Sequence, residues 1–141
     1  MNTALLLTLL APREMMTNPG FDSATGWTAE TGWSISGGAA SYSRAYNAGF
    51  TNLYQVGQIQ AGRTYQFSTN ISAICDAANG RFSFRLGPSQ YSAIPNATGL
   101  FVANIVASVS GGLLIGMVHV AGGSSGTATI TVDSFSVRRV K

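Results

Sequence analysis

The sequence predicts an all-β protein, and three observations support that fold class. Hydrophobic residues make up 45% of the chain and charged residues only 9%, which is too apolar for a disordered protein. The 17 glycines are too many for a helical bundle, and together with Asn, Ser and Pro they separate short apolar runs. No stretch after residue 20 has the three-to-four-residue periodicity of an amphipathic helix.

A length of 141 residues suits one domain that can build its own core. No long linker, low-complexity tail or internal repeat of 20 to 50 residues divides the chain. We therefore expect one freestanding module, with residues 1–16 as an N-terminal arm or first strand and residues 17–141 as the β-sandwich.

The N-terminal segment contains an apolar run at residues 4–10. No basic residue precedes this run and Ala11-Pro12-Arg13 is a poor cleavage site, so a signal peptide is not predicted. The run is also far shorter than the roughly 20 residues of a membrane span. We expect a retained assembly arm that needs an apolar partner, either the sandwich itself or an adjacent subunit. Its leucines are Leu5, Leu6, Leu7, Leu9 and Leu10.

The first predicted strands lie close together. Residues 27–30, 33–36 and 39–43 are separated by short Gly-containing turns, as in a meander. Residues 53–59 form the next strand. Residues 65–72 then alternate most clearly, with Tyr65, Phe67, Thr69 and Ile71 predicted on the core face.

The second half continues the pattern. Residues 81–86 predict a strand with Phe82, Phe84 and Leu86 inward and both arginines outward. The long apolar runs 99–108 and 113–120 are expected to form a central pair. Residues 129–137 form the last strand, in which a bulge at Asp133 and Ser134 would place Ile130, Val132, Phe135 and Val137 on one face.

Two motifs at the ends of the domain carry a family resemblance. Asn18-Pro19-Gly20-Phe21-Asp22 is followed by Trp27, and the last strand contains Asp133-Ser134-Phe135-Ser136-Val137. They resemble the opening and the final strand of carbohydrate-binding-module jelly rolls of families four and nine, which are galactose-binding-like, over about residues 17–140. The resemblance implies a single jelly-roll β-sandwich, a fold that is also used in bacteriophage virion proteins.

The titratable residues do not predict an enzyme. Glycoside hydrolysis needs two carboxylates across a sugar bond, and the few acidic residues are scattered. The single histidine, His119, lies on a predicted core strand, so we expect it to be a structural or interface residue rather than a general base. One histidine and one cysteine disfavour a zinc site, and Cys75 is expected to be a small core residue.

A structural calcium ion is the metal hypothesis that the resemblance implies. In the resembling jelly rolls such an ion joins the first strand to the last, and the matching carboxylates here are Asp22 and Asp133. Pro19 departs from the family motif. The alternative is that Asp22 caps its turn and Asp133 binds backbone amides at the bulge.

The net charge of +3 does not predict nucleic-acid binding, because most basic residues are scattered. The exception is the closing cluster Arg138, Arg139 and Lys141, which we interpret as a solvated tail. The loop at residues 44–52 is a candidate contact surface for a glycan or a protein partner, because aromatic, basic and amide residues follow one another there. Its candidate glycan- or partner-binding residues are Arg44, Tyr46, Asn47, Phe50 and Asn52.

Two hypotheses for function follow. The first is a non-enzymatic structural protein of the virion: a bacteriophage capsid decoration, fibre or tail-associated protein that forms homo-oligomers and binds capsid or tail subunits. The low charge and the apolar arm favour this hypothesis. The alternative is a carbohydrate-binding module or adhesin that recognises host glycans through residues 44–52.

Overall fold

The described part of the chain folds into eleven β-strands. The computed structural model describes residues 12–87, 89–90, 95–120 and 123–140. Within these residues every regular element is a strand, which confirms the all-β prediction. The strands are β1 (Arg13–Glu14), β2 (Thr28–Ala29), β3 (Trp33–Ser36), β4 (Ala39–Ala45), β5 (Thr51–Ile59), β6 (Thr64–Ile74), β7 (Arg81–Leu86), β8 (Ser89–Gln90), β9 (Gly99–Val106), β10 (Gly111–Val120) and β11 (Thr127–Arg139).

These strands form two antiparallel sheets packed face to face. The first sheet has the order β3-β4-β11-β6-β9, and β1 also pairs with β11; the second has the order β2-β5-β10-β7-β8. From β4 to β7 the chain crosses to the other sheet at every connection, and it does so again from β8 to β11. The orders β4-β11-β6-β9 and β5-β10-β7-β8 are those of an eight-stranded jelly roll.

Aromatic side chains fill the space between the sheets. Phe67, Phe84 and Phe135 come from both sheets and lie with ring centroids 5.4 to 5.9 Å apart. Trp33, Tyr42 and Phe82 form a second group, and the Trp33 and Tyr42 rings are 5.1 Å apart. Edge-to-face and tilted pairs of this kind add to the free energy of burial, so the two groups hold the sheets together.

The predicted faces of the long strands are confirmed. Tyr65, Phe67, Thr69 and Ile71 are all buried along β6. The pairing of β11 with β6 shifts register on both sides of Val132, and the buried residues change from even to odd numbers there. The predicted bulge therefore exists, because without it Phe135 and Val137 would face solvent.

Two predictions about strand pairing are wrong. The strands at residues 99–108 and 113–120 do not form a central pair, because β9 lies at the edge of the first sheet while β10 lies between β5 and β7 in the second. Likewise β2 pairs with β5 and not with β3, so the expected meander is limited to the hairpin of β3 and β4. Both errors have one cause: in a jelly roll, consecutive apolar strands commonly belong to opposite sheets.

Candidate functional site

The structure distributes the five residues of the loop at 44–52 over different surfaces. Arg44 is half-buried at the end of β4, where its aliphatic carbons lie against the backbone of Gly32. Tyr46 is half-buried and its N–H donates to the carbonyl of Gly126 (3.2 Å). Asn47 is exposed, and 61% of Phe50 is exposed.

Asn52 is occupied by contacts within the sandwich. Its backbone N–H and its side-chain Nδ2 both donate to Oε2 of Glu30, at 2.7 and 2.8 Å. Arg85 Nη1 donates to Asn52 Oδ1 (2.8 Å), while Arg85 Nε donates to the Gly87 carbonyl (3.1 Å). This network ties β7 to β5 and to the segment that follows β2. Asn52 therefore has a structural role that the sequence pattern did not indicate.

The loop is consequently not a single polar pocket. Its most exposed large side chain is Phe50, with Asn47 nearby in sequence, while Arg44 and Asn52 are held by neighbouring strands. A ring this exposed can stack on a sugar or contact a protein partner.

His119 lies directly beneath this loop and is completely buried. Its Nδ1 is 2.8 Å from the Tyr42 hydroxyl and 3.1 Å from the Gly49 carbonyl. Its ring packs against the rings of Tyr42 and Phe82, with centroid distances of 4.7 and 5.4 Å. These contacts fit the predicted structural role, in which the imidazole connects β10 to the loop.

The electrostatic environment favours the neutral form of this imidazole. Burial lowers the pKa of His119 below its ordinary value, and the nearby positive charge of Arg44 lowers it further, while the hydrogen bond to Gly49 opposes both effects. Among the described residues the buried Nε2 atom has no hydrogen-bond partner, and neither has the Oγ1 atom of Thr51, the residue opposite His119 on β5. A charged imidazole would therefore lack a partner on one side.

The two carboxylates of the calcium hypothesis have different surroundings. Asp133 lies at the β11 bulge and accepts from Asn70 Nδ2 (3.0 Å) and Ser72 Oγ (2.8 Å) on β6, so its partners are side chains and not the expected backbone amides. Asp22 is exposed. Within the described part of the chain, no three His, Cys, Asp or Glu residues are grouped to hold a metal ion. The calcium ion stays a prediction.

The motif around Asp22 has a conformational function. Asn18 and Phe21 adopt positive φ angles of 52° and 57°. Asn18 Oδ1 accepts from the Asp22 N–H (3.1 Å), and the Asn18 carbonyl accepts from Trp27 Nε1 (2.9 Å). Asn18, not Asp22, therefore caps this turn. The turn brings the Phe21 and Trp27 rings within 4.8 Å of each other in the core, as expected for a buried Trp27.

Glu14 attaches the first described residues to the sandwich. Its Oε1 accepts from the N–H groups of Met15 (3.1 Å), Met16 (3.0 Å) and Val137 (3.0 Å). Its Oε2 accepts from the Ser136 hydroxyl and from Arg138 Nε (3.4 Å), which gives part of the basic C-terminal cluster a structural role. The predicted arm leucines, at residues 5–10, lie outside the described residues. The structure does define where the segment before residue 13 joins the sandwich, since Arg13 and Glu14 pair with β11.

An exposed apolar stripe on β9 was not identified from the sequence. Leu100 is 74% exposed, Val102 48% and Val106 57%, and these side chains alternate with Phe101, Ala103 and Ile105 on the core side. Asn104 lies between Val102 and Val106 on the outer face, where its Oδ1 accepts from Gln66 Nε2 (3.4 Å). Apart from Asn104, the side chains on both faces of this strand are apolar, which led to the prediction of a central strand. The jelly-roll order, which places this strand at a sheet edge, was the signal that could have corrected it.

The comparisons with known proteins give no family assignment. No family model matches the chain, and no curated protein matches it in sequence. In the described residues there is no helix of the length and apolarity needed to cross a membrane. Inferences about function therefore depend on the surfaces described above.

Proposed function

We propose that this chain is a non-enzymatic assembly protein of a bacteriophage virion, located in the particle as a capsid decoration, fibre or tail-associated protein. The observation that carries the proposal is the apolar stripe on β9, at the edge of a sheet. Scattered single apolar residues are normal on protein surfaces, but an apolar row along a sheet edge is typical of a protein-binding surface.

The charge distribution agrees with this role. Only 9% of the residues are charged, and the eight residues of β9 include none. Neighbouring subunits could therefore approach this edge without desolvating charges. The assignment to a phage virion also depends on the resemblance of the two end motifs to jelly rolls used in such particles.

Mass spectrometry of purified phage particles tests the proposal. We expect this chain in particles washed at high salt, at a fixed ratio to the major capsid or tail protein. Absence from the particles, with the chain found only in the infected-cell lysate, would contradict the proposal.

Glycan binding is the alternative function, and the exposed Phe50 ring favours it. A glycan array on the full chain, with Phe50→Ala as the variant and Val56→Ala as the control, tests this alternative. Val56 is a suitable control because it is also strongly exposed, at 73%, but lies on β5 away from the loop. Binding that is lost in the Phe50 variant alone would support a glycan site, whereas no binding by the unaltered chain would exclude the sugars on the array.

A further inference from the structure

We infer that the edge of β9 receives the leucine run of a second copy of this chain, which adds residues 4–10 as a further strand of the first sheet. This inference rests on the proposed assembly function and names the surfaces involved. Backbone hydrogen bonds along β9 would provide affinity, and leucine side chains would cover the apolar stripe.

The receiving surface has the properties of an unprotected edge. Among the described residues the strand that pairs with β9 is β6, and β9 is the last strand of its sheet. Val106 has a further contact, so the receiving edge is Gly99–Ile105. Proteins usually protect such edges with charged residues, proline or a bulge, yet Gly99–Val106 contains no charged residue and no proline. The exposed side chains of Leu100 and Val102 lie opposite Asn70 and Ser68 of β6, so the residues facing them on that strand are polar.

The inserting segment matches this edge in length and chemistry. Residues 4–10 are seven residues, as many as Gly99–Ile105, and they include five leucines and no charge. In an extended strand, alternate residues point to opposite sides. Leu5, Leu7 and Leu9 would then share one face and Leu6 and Leu10 the other, so either face would present leucine to the stripe.

Geometry favours a second copy over the same copy. Arg13 pairs with Arg139, which pairs with Tyr65, which pairs with Ile105, so these residues form one row across the first sheet. Four strand spacings of about 4.8 Å separate β1 from the outer side of β9, or about 19 Å. At about 3.3 Å per residue, roughly six residues would be needed to cross that distance. Counting back from residue 12, those six residues are 7–12, so of the run at residues 4–10 only Ala4, Leu5 and Leu6 would remain to lie along β9. A neighbouring copy can accept the whole run.

Two full-length variants with complementary defects test the inference. The arm variant carries Leu6→Asp and Leu9→Asp, which put one charge on each face of the run and leave β9 intact. The edge variant carries Val102→Lys, which puts a charge in the middle of the exposed stripe and leaves the arm intact. Val56→Lys is the matched control, because it adds the same charge at an exposed site of the other sheet.

Light scattering measures the mass of each variant alone and of an equimolar mixture. We expect the unaltered chain and Val56→Lys to be oligomers and each defective variant to be monomeric. The mixture should form a complex of two chains, because one variant supplies the arm and the other the edge. A third variant carries Leu6→Asp, Leu9→Asp and Val102→Lys in one chain. It should not form this complex when it is mixed with the arm variant, because neither chain then has an intact arm.

The outcomes separate this inference from the proposed function. If the edge variant keeps the oligomeric mass of the unaltered chain, the arm binds elsewhere and the inference is wrong, while assembly stands. An unaltered chain that is monomeric at every concentration contradicts both. Circular dichroism verifies the fold of each variant, and Leu100→Lys, at a more exposed position, replaces Val102→Lys if that variant does not fold.

Discussion

At the scale of single residues, buried polar and glycine positions determine how β5 and β10 fit together. His119 connects β10 to Tyr42 and to the carbonyl of Gly49, although its second nitrogen is buried with no partner in the part of the chain that the structure describes. Gly116, on the same strand, lies opposite Tyr54 of β5. Each residue leads to a prediction about stability.

Acid should destabilise the protein through His119. Its folded-state pKa is lowered, so the unfolded chain binds the proton more tightly, and the free energy of unfolding should fall as the pH drops below the ordinary imidazole value of about 6.5. The slope contributed by one group approaches about 1.4 kcal/mol per pH unit. Urea denaturation between pH 5 and 8 measures this slope. His119→Gln should remove it, and an equal slope in that variant would show that another group titrates.

Gly116→Ala should destabilise the sandwich. A Cβ atom at this position would overlap the Leu53 carbonyl oxygen and lie 2.7 Å from the Tyr54 Cα atom, and both are backbone atoms of β5 that cannot move independently of their strand. We expect a loss of at least about 2 kcal/mol in the free energy of unfolding. Gly20→Ala is the control, since a Cβ atom there meets nothing within 4 Å. Equal stability of the two variants would show that β5 and β10 can separate without cost.

At the scale of elements, the strands differ in how far the sequence predicts them. The alternation of Tyr65, Phe67, Thr69 and Ile71 gave the correct face of β6, because one side of that strand is core and the other is polar. In β11 the apolar residues change from even to odd positions, and this change predicted the bulge for the same reason. Apart from Asn104 and His119, the sequences of β9 and β10 are apolar at both odd and even positions. Alternation alone therefore does not distinguish an edge strand with an exposed apolar face from a central strand. The place of each strand in its sheet is determined by hydrogen bonding to strands that are distant in sequence.

The candidate site was predicted less well than the strands. Residues 44–52 contain the residue types of a binding loop, and Phe50 is indeed exposed. The types did not reveal that Asn52 is bound by Glu30 and Arg85, because these partners are 22 and 33 residues away in sequence. The fold brings them together through the pairing of β5, β10 and β7.

Glu14 fixes the strand from which the N-terminal arm extends. Glu14→Gln removes the carboxylate charge, and its amide NH2 group cannot accept from Ser136 and Arg138 as Oε2 does. The remaining amide oxygen is neutral and is a weaker acceptor for the backbone N–H groups of Met15, Met16 and Val137, which all donate to Oε1. We expect a loss of about 1 to 3 kcal/mol in the free energy of unfolding, and faster hydrogen exchange at these amides. Asp22→Asn, at an exposed carboxylate, should change stability by less than about 0.5 kcal/mol. Unchanged exchange at Met16 and Val137 would contradict the assigned role of Glu14.

At the scale of the whole molecule, the sandwich separates a stable core from surfaces suited to contacts. Aromatic side chains from both sheets fill the interior, whereas the apolar residues left in solvent are concentrated along β9. The point where β1 joins β11 lies in the same row of the first sheet as Ile105, near the end of β9. The apolar edge of β9 and the start of β1 lie on one sheet, as the proposed assembly through the N-terminal segment requires.

The solution mass of the full-length protein, measured by light scattering over a range of concentrations, tests this account most directly. The account predicts a mass of more than one chain for the unaltered protein and the mass of one chain when Leu6 and Leu9 are replaced by Asp. A monomer in both cases would contradict self-assembly through the arm. An oligomer of unchanged mass after the substitutions would show that assembly uses a surface other than the leucine run.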